Sequence, residues 1–282
     1  MAYLLIILAV LASLCEGMLI KKYNKKHEHG GFIFTSFVSF AAMLYFLITD
    51  TGGLCFPREI FPYAIVSGLM YCLASFLTYV ALSCGSYSMS MLVLSYSIVF
   101  SISFGIFYMK EAVSVFSVIG FVLLAVSLFL TRNKVTDSRF SIKWLISISL
   151  SVFGAGMFSI VMRLQQIRFD NKYNNEFMVV SLAVSFVLLF VWGFIKDKEH
   201  LKEIFKYGAP FALVSGITNG FANMMSMIIV TLIPISLYSP LSSGVKIIIS
   251  FLISAFIYRE SFLKRQIVGV AVGTAAIVFL NL

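Results

Sequence analysis

Two charged side chains lie inside long apolar segments of this sequence. Lys246 lies near the middle of segment 234–257, and Glu16 lies about one turn before the end of segment 2–20. A charge at the centre of a hydrocarbon layer costs about 2.5–3.5 kcal/mol, so each should face other helices and a polar partner. Ionisable groups at this depth usually mark substrate or proton pathways. We therefore predict that Lys246 orients an anionic or zwitterionic group and that Glu16 acts as its counter-ion or as a proton carrier.

The relation between these two charges has three possible forms. Glu16 and Lys246 could form a fixed structural bridge, or a pair that breaks when a substrate or proton binds. Alternatively, Glu16 could extend towards the membrane interface without contacting Lys246. A metal site is not predicted, because the nearby His27, Glu28 and His29 lack a fourth ligand in their loop.

Further polar residues recur at helical spacing in the apolar segments. Asn219 and Asn223 are four residues apart and share a face, and unpaired amides facing lipid would cost several kcal/mol. They could bind a ligand or bridge helices. The other candidates are hydroxyl-bearing side chains, whose alternative role is close helix packing. They are Tyr71, Tyr96, Ser97, Tyr238 and Ser242. Ser242 shares a helix face with Lys246, and Ser97 lies on the equivalent face of the fourth segment. Tyr71 is matched to Asn219 by the internal repeat described below.

The composition requires a membrane environment for these segments. Of the 282 residues, 60% are hydrophobic and only 12% are charged, whereas soluble domains contain about 25% charged residues. Apolar stretches of about 17–25 residues are long enough to cross a bilayer as helices. Ten such segments are predicted: 2–20, 32–49, 61–83, 87–108, 113–131, 144–162, 177–195, 208–231, 234–257 and 266–282.

The first five segments resemble the last five. Pro62, Ser67 and Gly68 match Pro210, Ser215 and Gly216, in each case 148 positions later. The loop lengths also repeat, with a short loop between the third and fourth segment of each half. Because five is odd, the second half must enter the membrane from the opposite side. We predict an all-α membrane protein with ten transmembrane helices as two inverted five-helix repeats, 1–131 and 144–282, joined by a linker at 132–143.

Short motifs in both halves resemble the EamA-type family of the drug/metabolite transporter superfamily. In the first half they are Ala81–Ser83, Tyr108–Glu111 and Ile119–Gly120, and in the second half Ile257–Glu260 and Val268–Gly269. The resemblance extends over essentially the whole chain. It implies ten short helices in a 5+5 arrangement and the transport of a small molecule.

The distribution of basic residues predicts the orientation. Loops that follow odd-numbered segments contain 15 of the 21 Lys and Arg residues, and the other side contains five. Cytoplasmic loops carry the Lys/Arg excess, so both termini should lie outside the cytosol. We expect an integral protein of a bacterial inner (plasma) membrane. The net charge of +9 is then a topology signal and an attraction to lipid, and no nucleic-acid partner is predicted.

These features favour a secondary transporter of a small polar or amphipathic metabolite, working by alternating access with ion or proton coupling or by exchange. The partners would be that small molecule and the lipid bilayer. No enzyme and no cofactor are predicted, because the sequence lacks a P-loop, a His-Glu-x-x-His helix, a Gly-x-Ser-x-Gly elbow and a nucleotide fingerprint. The alternatives are a lipid-linked sugar flippase and a non-transporting membrane scaffold.

Overall fold

The computed structural model describes residues 2–25, 30–50, 52–85, 87–110, 114–131, 141–198, 201–256 and 264–280. These residues are all-helical, with no strand among them. The loop residues His27, Glu28 and His29, the motif residues Glu111 and Ile257–Glu260, and most of the predicted linker, 132–140, lie outside the described residues.

Ten helical spans follow one another along the described chain. The first five are α1 (Ala2–Asn24), α2 (Gly31–Thr49), α3 (Phe61–Cys84), α4 (Tyr87–Leu94, continued by Ser95–Ser97, Ile98–Ser103 and Phe104–Tyr108) and α5 (Val115–Thr131). The last five are α6 (Ile142–Arg168), α7 (Asn174–Lys196), α8 (Ala209–Leu232, preceded by Leu201–Glu203 and Ile204–Gly208), α9 (Ile235–Phe256) and α10 (Lys264–Leu280).

Within the described residues, seven of these helices are long and apolar enough to cross a membrane, as expected for an integral membrane protein. They are α1, α2, α3, α6, α7, α8 and α9. The other three predicted spans are shorter apolar helices in the structure. α5 and α10 have 17 residues each, or about 26 Å at 1.5 Å per residue. α4 is divided by a break in its middle.

The break in α4 is a 3-10 turn at Ser95–Ser97, and it is followed by a π-helical turn at Phe104–Tyr108. The Ser95 hydroxyl donates to the Met91 carbonyl at 3.0 Å. Such a bond competes with the regular helical hydrogen bond to the same carbonyl. The break occurs in a segment that contains no proline. α9 contains Pro240 instead, which has no backbone N–H to continue the helical pattern.

α2 and α7 lie side by side in antiparallel orientation. At one end, the Asp197 carboxylate after α7 accepts bonds from the backbone N–H groups of Phe32 and Ile33, at 3.0 and 3.2 Å. Near the middle, the hydroxyls of Ser39 and Ser185 are 3.1 Å apart. At the other end, the Asn175 amide donates to Asp50 at 2.9 Å. The carboxylate of Asp197 thus satisfies N–H groups in the first turn of α2, which have no partner within the helix.

Two glycines allow neighbouring helices to approach α2 and α7 at backbone distance. A Cβ atom on Gly68 of α3 would lie 2.5 Å from the Ser181 carbonyl oxygen of α7. A Cβ atom on Gly216 of α8 would lie 2.4 Å from the Val38 carbonyl oxygen of α2. Both obstacles are main-chain atoms, which cannot rotate away. The pair Gly68 and Gly216, noted above as a sequence match, therefore occupies two matching helix contacts.

A lysine at the end of α1 binds the end of α3. The Lys21 ammonium donates to the carbonyl oxygen of Leu82 at 2.7 Å and also to that of Gly85. One turn later, the amide of Asn24 donates to the Tyr79 carbonyl oxygen at 3.2 Å. A cation near the last carbonyls of a helix also interacts favourably with the helix dipole. Lys21 and Asn24 therefore hold the ends of α1 and α3 together.

We expect Gly68→Leu and Gly216→Leu each to lower stability by at least about 2 kcal/mol, because the new side chain must push a helix backbone aside. The measurement is the unfolding midpoint of the purified protein in detergent. Gly52→Leu is the matched control, since a Cβ atom at Gly52 would meet no atom within 4 Å. Equal midpoints for all three variants would contradict these helix contacts.

Candidate substrate site

Two cavities meet in the centre of the helical bundle. The first, of about 210 Å³, extends towards the end of α1 and the start of α2, where it reaches Ile20 and Phe34. The second, of about 260 Å³, extends the other way towards the start of α9, where it reaches Ile235. They share a layer of eight residues, here called the shared layer: Ser13, Glu16, Ser97, Ala155, Phe158, Asn219, Asn223 and Lys246. The layer contains both charged residues predicted from the sequence.

Glu16 is held by an amide from the other half of the chain. The Asn219 side-chain N–H donates to the Glu16 carboxylate at 2.9 Å. The side-chain oxygen of Asn219 in turn accepts hydrogen bonds from the Tyr71 hydroxyl at 2.8 Å and from the Asn223 side-chain amide at 2.9 Å. The network joins α1, α3 and α8. Of the two roles predicted for the asparagines, Asn219 therefore bridges helices while also lining both cavities.

Lys246 binds a serine and does not form a hydrogen bond with Glu16. Its ammonium donates to the Ser13 hydroxyl at 3.1 Å, one turn before Glu16 on α1. In the described part of the chain, no direct hydrogen bond joins Lys246 to Glu16. The fixed structural bridge considered from the sequence is therefore not the arrangement in this structure. Both charges are half-buried beside the cavities, and each is held by a neutral group.

Three of the remaining predicted residues line the cavities. Ser97 lies in the shared layer, at the break in α4. Ser242 and Tyr238 line the second cavity, where the Tyr238 hydroxyl lies 2.6 Å from the Ser226 hydroxyl. Tyr96 is the exception, because it packs against the apolar cluster that includes Ile98 and is not among the residues lining either cavity. Tyr96 and Ser97 are neighbours in the sequence, and consecutive residues of a helix point in different directions.

The sequence argument did not select Ser13, Ala155 or Phe158 for the site. Ser13 carries no signal of its own beyond its position one turn before Glu16. Ala155 and Phe158 are apolar residues of an apolar helix, so nothing in their type distinguishes them from the many others that face lipid or the core. Only the placement of α6 beside the cavities identifies them. Among the described residues, no group of three or more His, Cys, Asp or Glu side chains could hold a metal ion.

No family model matches this chain, and no curated protein matches it. Among solved structures, 28 chains match. One of these, a crystal structure of a protein, superimposes with a TM-score of 0.64 over 97% of this chain and 98% of its own, at 13% sequence identity. At this identity the likeness shows a common fold and nothing about the chemistry of the site.

We expect Tyr71→Phe and Asn219→Ala to be energetically coupled by roughly 0.5–3 kcal/mol, because the Tyr71 hydroxyl donates directly to Asn219. The coupling is measured by a double-mutant cycle of unfolding free energies in mixed micelles. Ser90→Ala serves as the control with Asn219→Ala, since Ser90 bonds Trp144 instead. That second pair should be additive, and an additive Tyr71–Asn219 pair would contradict the network.

Proposed function

We propose that this protein is a secondary transporter of a small polar or amphipathic metabolite that works by alternating access. The observation that carries the proposal is the pair of cavities that extend in opposite directions from the shared layer. A substrate in that layer would be reachable from either side by opening one cavity and closing the other. We further propose that the chain is an EamA-type member of the drug/metabolite transporter superfamily, in line with its motifs.

An inverted repeat is part of this proposal, and matching contacts support it. Glu16 of α1 contacts Asn219 of α8, and Phe158 of α6 contacts Tyr71 of α3 with ring centroids 5.4 Å apart. Phe158 lies 142 positions after Glu16, and Asn219 lies 148 positions after Tyr71. These offsets place the two contacts at corresponding positions with the halves exchanged, which supports the proposed repeat. Inverted repeats of this kind form secondary transporters with the binding site between the halves.

A second pair of contacts obeys the same offsets at the helix ends. The Asn24 amide of α1 donates to the Tyr79 carbonyl oxygen of α3 at 3.2 Å. The Gln166 amide of α6 donates to the Met227 carbonyl oxygen of α8 at 3.0 Å. Gln166 and Met227 lie 142 and 148 positions after Asn24 and Tyr79. The offsets of 142 and 148 positions that relate the contacts of Glu16 and Phe158 thus also hold about two helical turns further along α1 and α6. This supports the proposal that the two halves are structurally equivalent beyond the central site.

In the proposed mechanism the two charges receive the polar part of the substrate. Lys246 orients an anionic group, and its bond to Ser13 is replaced by a bond to the substrate. Glu16 acts as counter-ion or proton carrier, and Asn219, Asn223 and Tyr71 supply hydrogen bonds. Hydrogen bonds to charged groups contribute about 1.5–3 kcal/mol each, so removing either charge should affect binding strongly.

We expect Lys246→Met and Glu16→Gln to reduce flux roughly 10- to 100-fold, the equivalent of one lost charge-assisted hydrogen bond. The experiment uses proteoliposomes loaded with a defined metabolite mixture, with and without a pH gradient. Release is measured by mass spectrometry, which identifies the transported compounds at the same time.

Lys143→Met and Glu59→Gln are the matched controls, because both residues are exposed and neither lines a cavity. If all four variants transport like the unmodified protein, the site assignment is wrong. If no compound crosses but a fluorescent polyprenyl-phosphate sugar is scrambled, the flippase alternative replaces the transporter. If neither moves, the scaffold alternative remains.

The orientation is also a proposal: the ends of the molecule rich in Lys and Arg face the cytosol. Two native cysteines allow a direct test. Cys55 precedes α3 and Cys84 ends it, and both side chains are exposed. In intact cells, a membrane-impermeant maleimide should label a variant retaining only Cys55 and should spare one retaining only Cys84. The reverse pattern would put both termini in the cytosol, and permeabilised cells, in which both react, provide the control.

A further inference from the structure

The walls of the shared layer differ in chemistry. α1, α8 and α9 contribute only polar side chains to it: Ser13, Glu16, Asn219, Asn223 and Lys246. α6 contributes only Ala155 and Phe158. By the offset of 142 positions, Phe158 is the counterpart of Glu16 and Ala155 is the counterpart of Ser13. In the shared layer, α1, α8 and α9 are therefore polar and α6 is apolar, although α1 and α6 are counterparts in the proposed repeat.

Phe158 is fixed in position. Its ring packs against the Tyr71 ring at 5.4 Å, and only 8% of the residue is exposed. The helix that carries it is wedged between two others. A Cβ atom on Gly154 would lie 3.0 Å from backbone atoms of α3, and a Cβ atom on Gly156 would lie 2.5 Å from the Phe100 ring of α4. The Phe158 ring is therefore a closely packed boundary of both cavities.

We propose that Phe158, with Ala155 one turn before it, forms the contact surface for the apolar part of the substrate and sets its permitted length. This inference rests on the proposed transport function and deepens it. The substrate is an amphipathic molecule whose small charged head binds at Glu16, Lys246 and the asparagines, with its apolar part directed at α6. The small Ala155 side chain leaves room for the apolar part, and the Phe158 ring limits its length.

Transfer of each methylene from water to an apolar surface strengthens binding about fourfold. Along a series of straight-chain compounds with one head group, affinity should therefore rise with length until the chain meets the ring. Beyond that length, affinity should fall, because a close-packed wall accommodates no further volume. The length of the tightest-binding compound therefore measures the distance from the head-group site to the Phe158 ring.

The test measures binding of two probe series to the purified full-length protein by thermal stabilisation, which reports affinity by mass action. One series is the n-alkylamines from ethylamine to octylamine, whose ammonium group matches Glu16. The other is the n-alkanoates from acetate to octanoate, whose carboxylate matches Lys246. Using both series makes the result independent of which charge receives the head group.

Phe158→Ala should shift the optimum to compounds about two methylenes longer, with roughly 15-fold tighter binding of those compounds than in the unmodified protein. Phe158→Leu is the conservative companion variant, with a shift of about one methylene. Ala155→Val should shift the optimum to shorter compounds. Phe153→Ala is the matched control on the same helix, because Phe153 is 43% exposed and does not line the cavities; its optimum should be unchanged.

An unchanged optimum in all the Phe158 variants, or an unmodified protein that binds neither series, would overturn the inference. A uniform loss of affinity at every length would do the same, since it would assign Phe158 a purely structural role. These outcomes are separate from those of the flux experiment: a length optimum that moves with Phe158 in a protein that transports nothing would leave the apolar surface intact and remove only the transport function.

Discussion

The cost of holding a carboxylate and an ammonium in a low-dielectric interior governs the centre of this molecule. Neither charge is neutralised by direct contact with the other. Glu16 accepts from the Asn219 amide, and Lys246 donates to the Ser13 hydroxyl. Neutral dipoles of this kind stabilise a charge without fixing it in a pair. A direct ion pair would have to be separated before a charged ligand could bind. In the proposed mechanism, each of these neutral partners is instead replaced individually by ligand atoms.

The surrounding helices are arranged so that these dipoles reach the charges. Asn219 lies on α8, which packs against α1, and it receives its own hydrogen bond from Tyr71 on α3. The close approach of α8 to α2 depends on Gly216, which is three residues before Asn219. The glycine thus lies about one turn from the amide that contacts the Glu16 carboxylate, and it packs that part of α8 closely against α2.

Much of this could be predicted from the sequence, and the remainder has identifiable physical causes. The two intramembrane charges and the Asn219–Asn223 pair stood out because polar groups are rare at that depth, and all four lie in the shared layer. Hydropathy predicted ten spans but not the break in α4, because the residues at the turn are also found in regular helices. Tyr96 was chosen for its hydroxyl, but its side chain packs against the apolar cluster that includes Ile98. Phe158 could not be chosen, because an aromatic residue in an apolar helix carries no signal until its neighbours are known.

Lys21 has a structural role that a count of basic residues does not take into account. It is one of the loop lysines that predict orientation, and its ammonium also binds two carbonyl oxygens at the end of α3. During synthesis α1 leaves the ribosome well before α3. In the proposed orientation the same side chain would therefore act twice, first by staying on the cytosolic face and later by binding the end of α3. Substitutions of the basic residues would therefore have different effects at different lysines. A substitution at Lys21 would change the contact between α1 and α3 in the folded protein as well as the charge that directs insertion.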